Sequence, residues 1–458
     1  MSRDGDNGTG NRVASLINRR KFLTTAGATG VVALAGCGGD GNGNGSNGNG
    51  NGGNGNGNGN GGNGGNTGNG NGGVPAGEVT YWTLFGGGDG ETMKSMVGSV
   101  NDETNLQVNR QRVPFGEYYD RLYTSLTGGE APDVAVMHSD RLAQYQDLVV
   151  PLSDHFSTDP YSDTIIDRVT LDGDLYGIPL DTHPLGLWYN KDIFEEAGLD
   201  PESPPESPSE FQETCEAIAQ NTDHNVGQIH AGGLSMGFFH MCLRSQGTDI
   251  LNDDYSQVAF NNEDGVGVAE FYDRMVNEDG WVPQSSDAGW NAWNNGEAGW
   301  LLDGTWHLSV VRGLDFDFGL AKPYMMPDSS DPVTSGNSHT LVIPRNPNRS
   351  SERQQRAIAL IRLLTQEYNL PWGTEAGHLP ASSSALESDE LRNSQTWEDS
   401  LSTFYEMATN GKVAYMPKTE NNNEWTPEIW QRLNAVRQNE SEPQQAIEQA
   451  AQGVNQVL

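Results

Sequence analysis

The residues best equipped for chemistry are aromatic and imidazole groups at the ends of apolar runs. His138-Ser-Asp-Arg141 directly follows Asp133-Val-Ala-Val-Met137, whose composition predicts a short buried strand. A loop at the carboxyl end of such a strand is where open α/β sheets bind ligands. The same residues would equally serve as an N-cap and a solvated first helical turn. Trp290 and Trp293 flank a polar Asn/Gly-rich turn, as on an exposed rim, while Trp82, Trp188 and Trp300 sit inside apolar runs that suit a core. Aromatic platforms with a few oriented polar groups suit a ligand that has apolar C–H faces and a rim of hydroxyls. His138, His183, His339 and His378 are also the residue type that most often ligates transition metals, but their spacing fits no short metal motif.

Other chemistries find little support. Carboxylates are so numerous that pairs arise by chance, so they do not argue for glycoside hydrolysis. There is no nucleophile elbow, phosphate loop or His-Glu-x-x-His, and no cofactor is expected. The net charge is −36 and lysine is scarce, which argues against nucleic acid or anionic lipid as a partner. Such a surface resembles that of proteins from extreme halophiles, in which salt screens the repulsion between carboxylates.

The first residues set the expected compartment. Arg19-Arg20-Lys21-Phe22-Leu23 reads as a twin-arginine export signal, and the apolar stretch Phe22–Ala35 is shorter than the ~20 residues of a membrane span. Leu34-Ala35-Gly36-Cys37 resembles a lipobox, which makes Cys37 the expected lipidation site and residues 1–36 a removable signal peptide. Because one acyl chain holds a bilayer only marginally, a dialkyl or diacyl lipid is expected there. Residues 37–77, nearly pure Gly and Asn to Gly73, have almost nothing apolar to bury and read as a disordered tether. Only Cys215 and Cys242 remain, either as buried thiols or as a pair.

From Glu78 onward strands and helices alternate. Glu78–Phe85 reads as a first strand. Met93, Met96, Val97 and Val100 mark one helix, and Tyr118, Leu122 and Leu126 a second that ends at Gly128-Gly129. Asp172-Gly173 is a hairpin-type turn. This order predicts an α/β fold with mostly parallel sheets flanked by helices.

Tyr176-Gly-Ile-Pro-Leu-Asp-Thr-His-Pro-Leu-Gly-Leu-Trp-Tyr-Asn-Lys-Asp-Ile-Phe-Glu-Glu-Ala-Gly-Leu199 closely resembles the signature stretch of carbohydrate-type extracellular solute-binding proteins, the relatives of maltose-binding protein. Ala131–Val134, Asn295–Trp306, Gly377–Pro380 and the Glu442–Leu458 tail agree with that family in the same order. The resemblance implies a two-lobed periplasmic-binding-protein-like fold with discontinuous lobes joined by a hinge. Residues 78–181 with 322–366 would form lobe 1, and residues 186–321 with 370–458 lobe 2. The crossovers would lie near Leu180–Gly186, Gly319–Lys322 and Glu367–Pro371.

The resemblance further implies a monomeric receptor that captures a sugar by hinge closure and delivers it to the permease of an ABC importer, held at the outer membrane face through Cys37. Trp306 matches the family position where a Trp stacks on sugar, with Asp303 beside it, and Trp425 lies near a second platform. Asp140 and Arg141 match positions that contact carbohydrate. His183 stands where relatives carry an acid, so Asp181 is expected to supply the carboxylate. Trp82 and Phe85 close the first strand, and Asp89 and Glu91 lie near a charged pair that this chain lacks. Trp293, His138, Asn337, His339 and His378 complete the expected ligand contacts. A receptor of the same fold for a metal or charged solute, a surface adhesin or sensor, and a secreted hydrolase are the competing readings.

Overall fold

A computed structural model describes residues 74–458; the export signal, Cys37 and nearly all of the expected tether lie outside them. Two sheets organise this part of the chain.

The first sheet runs in the order Leu106–Arg112, Gly77–Thr83, Val134–His138, His339–Val342, Ile178–Pro179. Its first three strands are parallel, with Val79 opposite Val108 and Tyr81 opposite Val134. The last two join antiparallel. Helices cover its faces, so Val134 to Met137 are apolar at every position and wholly buried, as a parallel strand between two helical layers requires. Helix Phe115–Gly128 buries Tyr118, Leu122 and Leu126 along one stripe and stops where Gly129 takes φ +80°. At the hairpin between Thr170–Leu171 and Asp174–Leu175, Asp172 (φ 52°) and Gly173 (φ 88°) both adopt the left-handed region that a two-residue turn needs.

The second sheet runs Val413–Tyr415, Thr334–Asn337, Asp181–Asn190, Ala298–Gly304, Asn225–Ile229. Its spine is the ten-residue strand Asp181–Asn190, almost entirely buried, which also pairs with Phe318–Ala321 and Leu379–Pro380. Trp425, Ile429 and Leu433 of helix Asn422–Arg437 pack on Ala446, Ile447, Ala450 and Val454 of helix Pro443–Val457 in this lobe's core. Cys215 and Cys242 are buried there as free thiols.

The chain passes between the sheets three times. The first passage is at Leu180, between strands Ile178–Pro179 and Asp181–Asn190. The second is at Ser338, between Thr334–Asn337 and His339–Val342. This corrects the expected position at Gly319–Lys322: Met325 and Met326 are buried in the second core, so the chain stays with lobe 2 until Asn337. The third also lies later than the expected Glu367–Pro371: Trp372 and Ala376 still pack in the first core, and Leu379–Pro380 pairs with the second sheet's spine. The passages lie side by side: the Leu180 N–H donates to the His339 carbonyl (2.8 Å), and Pro380 is paired with Asp181.

Candidate functional site

A cavity of about 430 Å³ opens between the lobes. The first lobe contributes the loop after strand Val134–His138, where Ser139–Arg141 forms a short 3-10 turn. The Asp140 carboxylate accepts from Asn337 Nδ2 (2.9 Å), and its carbonyl accepts from Asn422 Nδ2 (2.8 Å). Both donors come from segments of the second lobe, so Asp140 ties the lobes at the cavity edge. Arg141 lies over the Tyr119 ring, 5.5 Å from its centre. His138 Nδ1 is 2.6 Å from the Tyr119 hydroxyl. Burial, with His339 and His183 beside it, holds the His138 imidazole well below its usual pKa, so it stays neutral. Beside the cavity Arg168 donates to the Met416 carbonyl (2.5 Å) and Lys418 to that of Asp167 (2.7 Å), again from one lobe to the other.

The second lobe contributes Leu185, Met236, Trp306 and Trp430 to the lining. The Trp306 ring lies flat against Gly304, within 2.1 Å of where a β-carbon at that position would stand. Only glycine there lets the indole occupy this place. The His183 ring meets Trp306 edge to face at 5.9 Å.

Behind the cavity the three crossovers share a buried polar network centred on Asp181. Its carboxylate accepts from His183 Nδ1 (2.9 Å), the His339 backbone N–H (2.9 Å), His339 Nδ1 (2.7 Å) and Trp372 Nε1 (2.7 Å). Burial opposes its ionisation, but His339 and His183 and their hydrogen bonds override that and hold the carboxyl well below its usual range. Burial also lowers His183, to about 4. His378 lies between Thr305 Oγ1 (2.7 Å) and Asp89 Oδ2 (3.1 Å) and stacks on Trp372. Burial lowers its pKa, but the Asp89 charge and hydrogen bond outweigh burial and leave it raised. Phe85 packs against His339 and Trp372. Asp181, His183, His339 and His378 each offer a ligand atom within 4.8 Å of the others, the one such His/Cys/Asp/Glu group among the described residues.

The structure thus brings His138, Asp140, Arg141, His183, Trp306 and Asn337 to the cavity wall. It places Phe85, Asp89, Asp181, His339 and His378 in the network behind it. Several expected contacts are corrected. Trp293 is buried, donating to His307 Nε2 (2.9 Å) in a core between its helix and the second sheet rather than standing on a rim. Trp425 is equally buried, donating to Thr419 Oγ1 (2.7 Å). Trp430, on the same helix, lines the cavity instead. Glu91 is exposed and pairs with Lys94 (3.1 Å). Trp82 packs against the first core, and Asp303 is buried beside His230 and His307; neither lines the cavity. Phe115, Tyr119 and Trp430 escaped the sequence reading. Phe115 and Tyr119 stand four apart on one helix, and Phe115, its first residue, is 63% exposed; an aromatic i, i+4 pair at a helix start was their signal.

Two α/β lobes joined by three crossovers, with a cavity between them, define a binding-protein architecture. The profile of the bacterial extracellular solute-binding protein family matches residues 95–403, and the chain belongs to that family, which acts in extracellular or periplasmic space. A lactose-binding protein of Rhizobium radiobacter is 26% identical over 42% of this chain; the match spans about half (47%) of that relative's length. A galactooligosaccharide-binding protein of Bacillus subtilis is 23% identical over 79% of this chain and 85% of its own. The GacH receptor of Streptomyces glaucescens, solved unliganded and with acarbose, shares the fold with TM-score 0.74 at 18% identity, covering 84% of this chain and 98% of that one.

Proposed function

We propose that this chain is the solute-capturing, non-enzymatic subunit of an ABC importer and that its solute is a sugar of one or a few rings. One observation carries the reading: Trp306 and Trp430 share a single cavity with His138, Asp140, Arg141 and Asn337, and the lobes that hold them are already tied across it. Indole faces suit the C–H faces of a pyranose, and the polar groups suit its hydroxyls. The volume lies within the range of small-molecule sites, about 300–1,000 Å³. Relatives named for lactose and galactooligosaccharide binding support the same solute class.

Closure on the sugar gives a membrane permease one shape to recognise, because a ligand that contacts both lobes favours the closed form. A lipid on Cys37 and the Gly/Asn tether would confine that receptor near its permease and raise the effective concentration for handover. A thermal-shift screen of mono- and oligosaccharides in molar salt tests the solute class, since a ligand that binds only the folded form must stabilise it. Stabilisation by saccharides without product release supports the reading. Release of shortened sugars would replace it with a hydrolase.

A further inference from the structure

We propose that Asp181, His183, His339 and His378 bind one divalent transition-metal ion of the zinc type, which staples the three crossovers together. The site does not depend on which solute enters the cavity.

One carboxylate and three imidazoles are a ligand combination that Zn²⁺ and its neighbours accept. All four residues are buried, and their ligand atoms already lie within 4.8 Å of one another. The Nδ1 atoms of all three imidazoles face one carboxylate, at 2.9 Å from His183, 2.7 Å from His339 and 3.7 Å from His378. In a tetrahedron with bonds of about 2.0–2.1 Å, ligand atoms stand about 3.4 Å apart. Small side-chain shifts therefore suffice to close the group around an ion.

Behind His378 stands a carboxylate that is only partly satisfied. His378 Nδ1 stands 3.7 Å from the Asp181 carboxylate and meets Thr305 Oγ1 (2.7 Å), a bond it exchanges for the ion. Asp89, on the other side of that imidazole, has one buried carboxylate oxygen, Oδ1, without a partner. Asp89 Oδ2 meets His378 Nε2 at 3.1 Å. A carboxylate that holds the far nitrogen of a ligating histidine is the usual outer partner of a metal site. On binding, the Nδ1 protons of His183 and His339 move to Nε2, so both remain neutral ligands, and any second proton on His378 leaves to solvent.

Asp181 and His183 follow the first crossover, His339 the second, and His378 lies in the third. An ion here holds every strand that connects the lobes and stabilises their arrangement.

The test uses the full chain, treated with chelator, sugar-free and in molar NaCl, where loose binding to surface carboxylates is screened. Titration with Co²⁺, followed by its visible absorption, is expected to show one ion per chain with the intense bands of a tetrahedral site. Zn²⁺ is expected to displace it and to raise the melting temperature. The variants His183→Gln and His378→Gln, both folded by circular dichroism, are each expected to weaken Co²⁺ binding by about 100-fold or more. Absence of one-to-one binding overturns the proposal. So does binding that persists unchanged in the His183→Gln/His378→Gln double variant, whether or not the chain binds sugar.

Discussion

Asp181 and His339 stand on different crossovers and are joined twice: the His339 backbone N–H donates to Oδ1 (2.9 Å) and its Nδ1 to Oδ2 (2.7 Å). A single carboxylate therefore fixes both the backbone and the ring of the neighbouring passage. Trp372 Nε1 adds a donor from the helix that leads into the third (2.7 Å). The hinge is organised by a buried charge, which is stable only because every oxygen is satisfied.

Removal of that charge is correspondingly costly. Asp181→Ala strands several buried donors at once and is expected to lower unfolding stability by about 3–5 kcal/mol. Denaturant unfolding in molar salt measures it. A loss below about 1 kcal/mol would show that water replaces the carboxylate without penalty.

Gly304 controls Trp306 without touching ligand itself. In Gly304→Ala the new methyl group would stand about where the indole ring lies, 2.1 Å from its nearest atom, so the ring has to leave its place. Sugar affinity is expected to fall as far as it does in Trp306→Ala, while the melting temperature changes little. If Gly304→Ala binds like the wild type, the ring is not held by this contact.

His240 gives a pH signature in the second lobe, outside the Asp181 network. It is fully buried, its Nδ1 meets Ser335 Oγ (3.1 Å) and its Nε2 has no hydrogen-bond partner. Burial lowers its pKa from 6.5 to about 4, against the opposing pull of Asp249, with Arg244 and Arg168 adding to the depression. The unfolded chain binds this proton below about pH 6.5 and the folded chain only below about 4. Stability is thus complete well above pH 6.5, falls by about 3 kcal/mol as the pH drops through 4, and loses nothing further from this group once both forms are protonated. Urea melts of the wild type and His240→Gln across this window isolate its share, because the other buried histidines remain in both. Equal slopes would contradict it.

The acidic surface predicts a salt requirement. A chain with net charge −36 repels itself in dilute buffer, and the Debye length shrinks from about 10 Å at 0.1 M to about 3 Å at 1 M. The melting temperature is expected to rise between low and molar NaCl. An unchanged value would mean that the carboxylates are already balanced locally.

Local patterns carried the architecture further than the site. The strand Val134–Met137, the stripe Tyr118–Leu122–Leu126 and the Asp172-Gly173 turn follow from neighbours in the chain, so periodicity reveals them. The signature stretch Tyr176–Leu199 pointed to the two-lobed class and contains the spine of the second sheet. The second crossover was misplaced because Thr334–Asn337 is held in its sheet by Val413–Tyr415, far along the chain. No local signal records that pairing.

The tryptophans divide for a similar reason. Polar neighbours suggested a rim for Trp293, but those residues occupy the solvent side of the helix Ser286–Asn294 whose other side is core. Trp425 shares the buried phase of Ile429 and Leu433, and Trp430 falls off it and reaches the cavity. Helix phase separates the two indoles where composition does not. Asp181, His183, His339, His378, Asp89 and Phe85 were each expected as ligand contacts near the cleft, but their bonding to one another was not legible, because they meet solely through the crossovers.

Capture of sugar on Trp306, in the cavity between the lobes, is open to direct measurement. Calorimetric titration of wild type and Trp306→Ala, with the saccharide that stabilises the protein most, tests it most directly. One saturable site per chain is expected in the wild type, and an affinity lower by about 10-fold or more in the variant, with the fold intact. Equal affinity in the two proteins would contradict it.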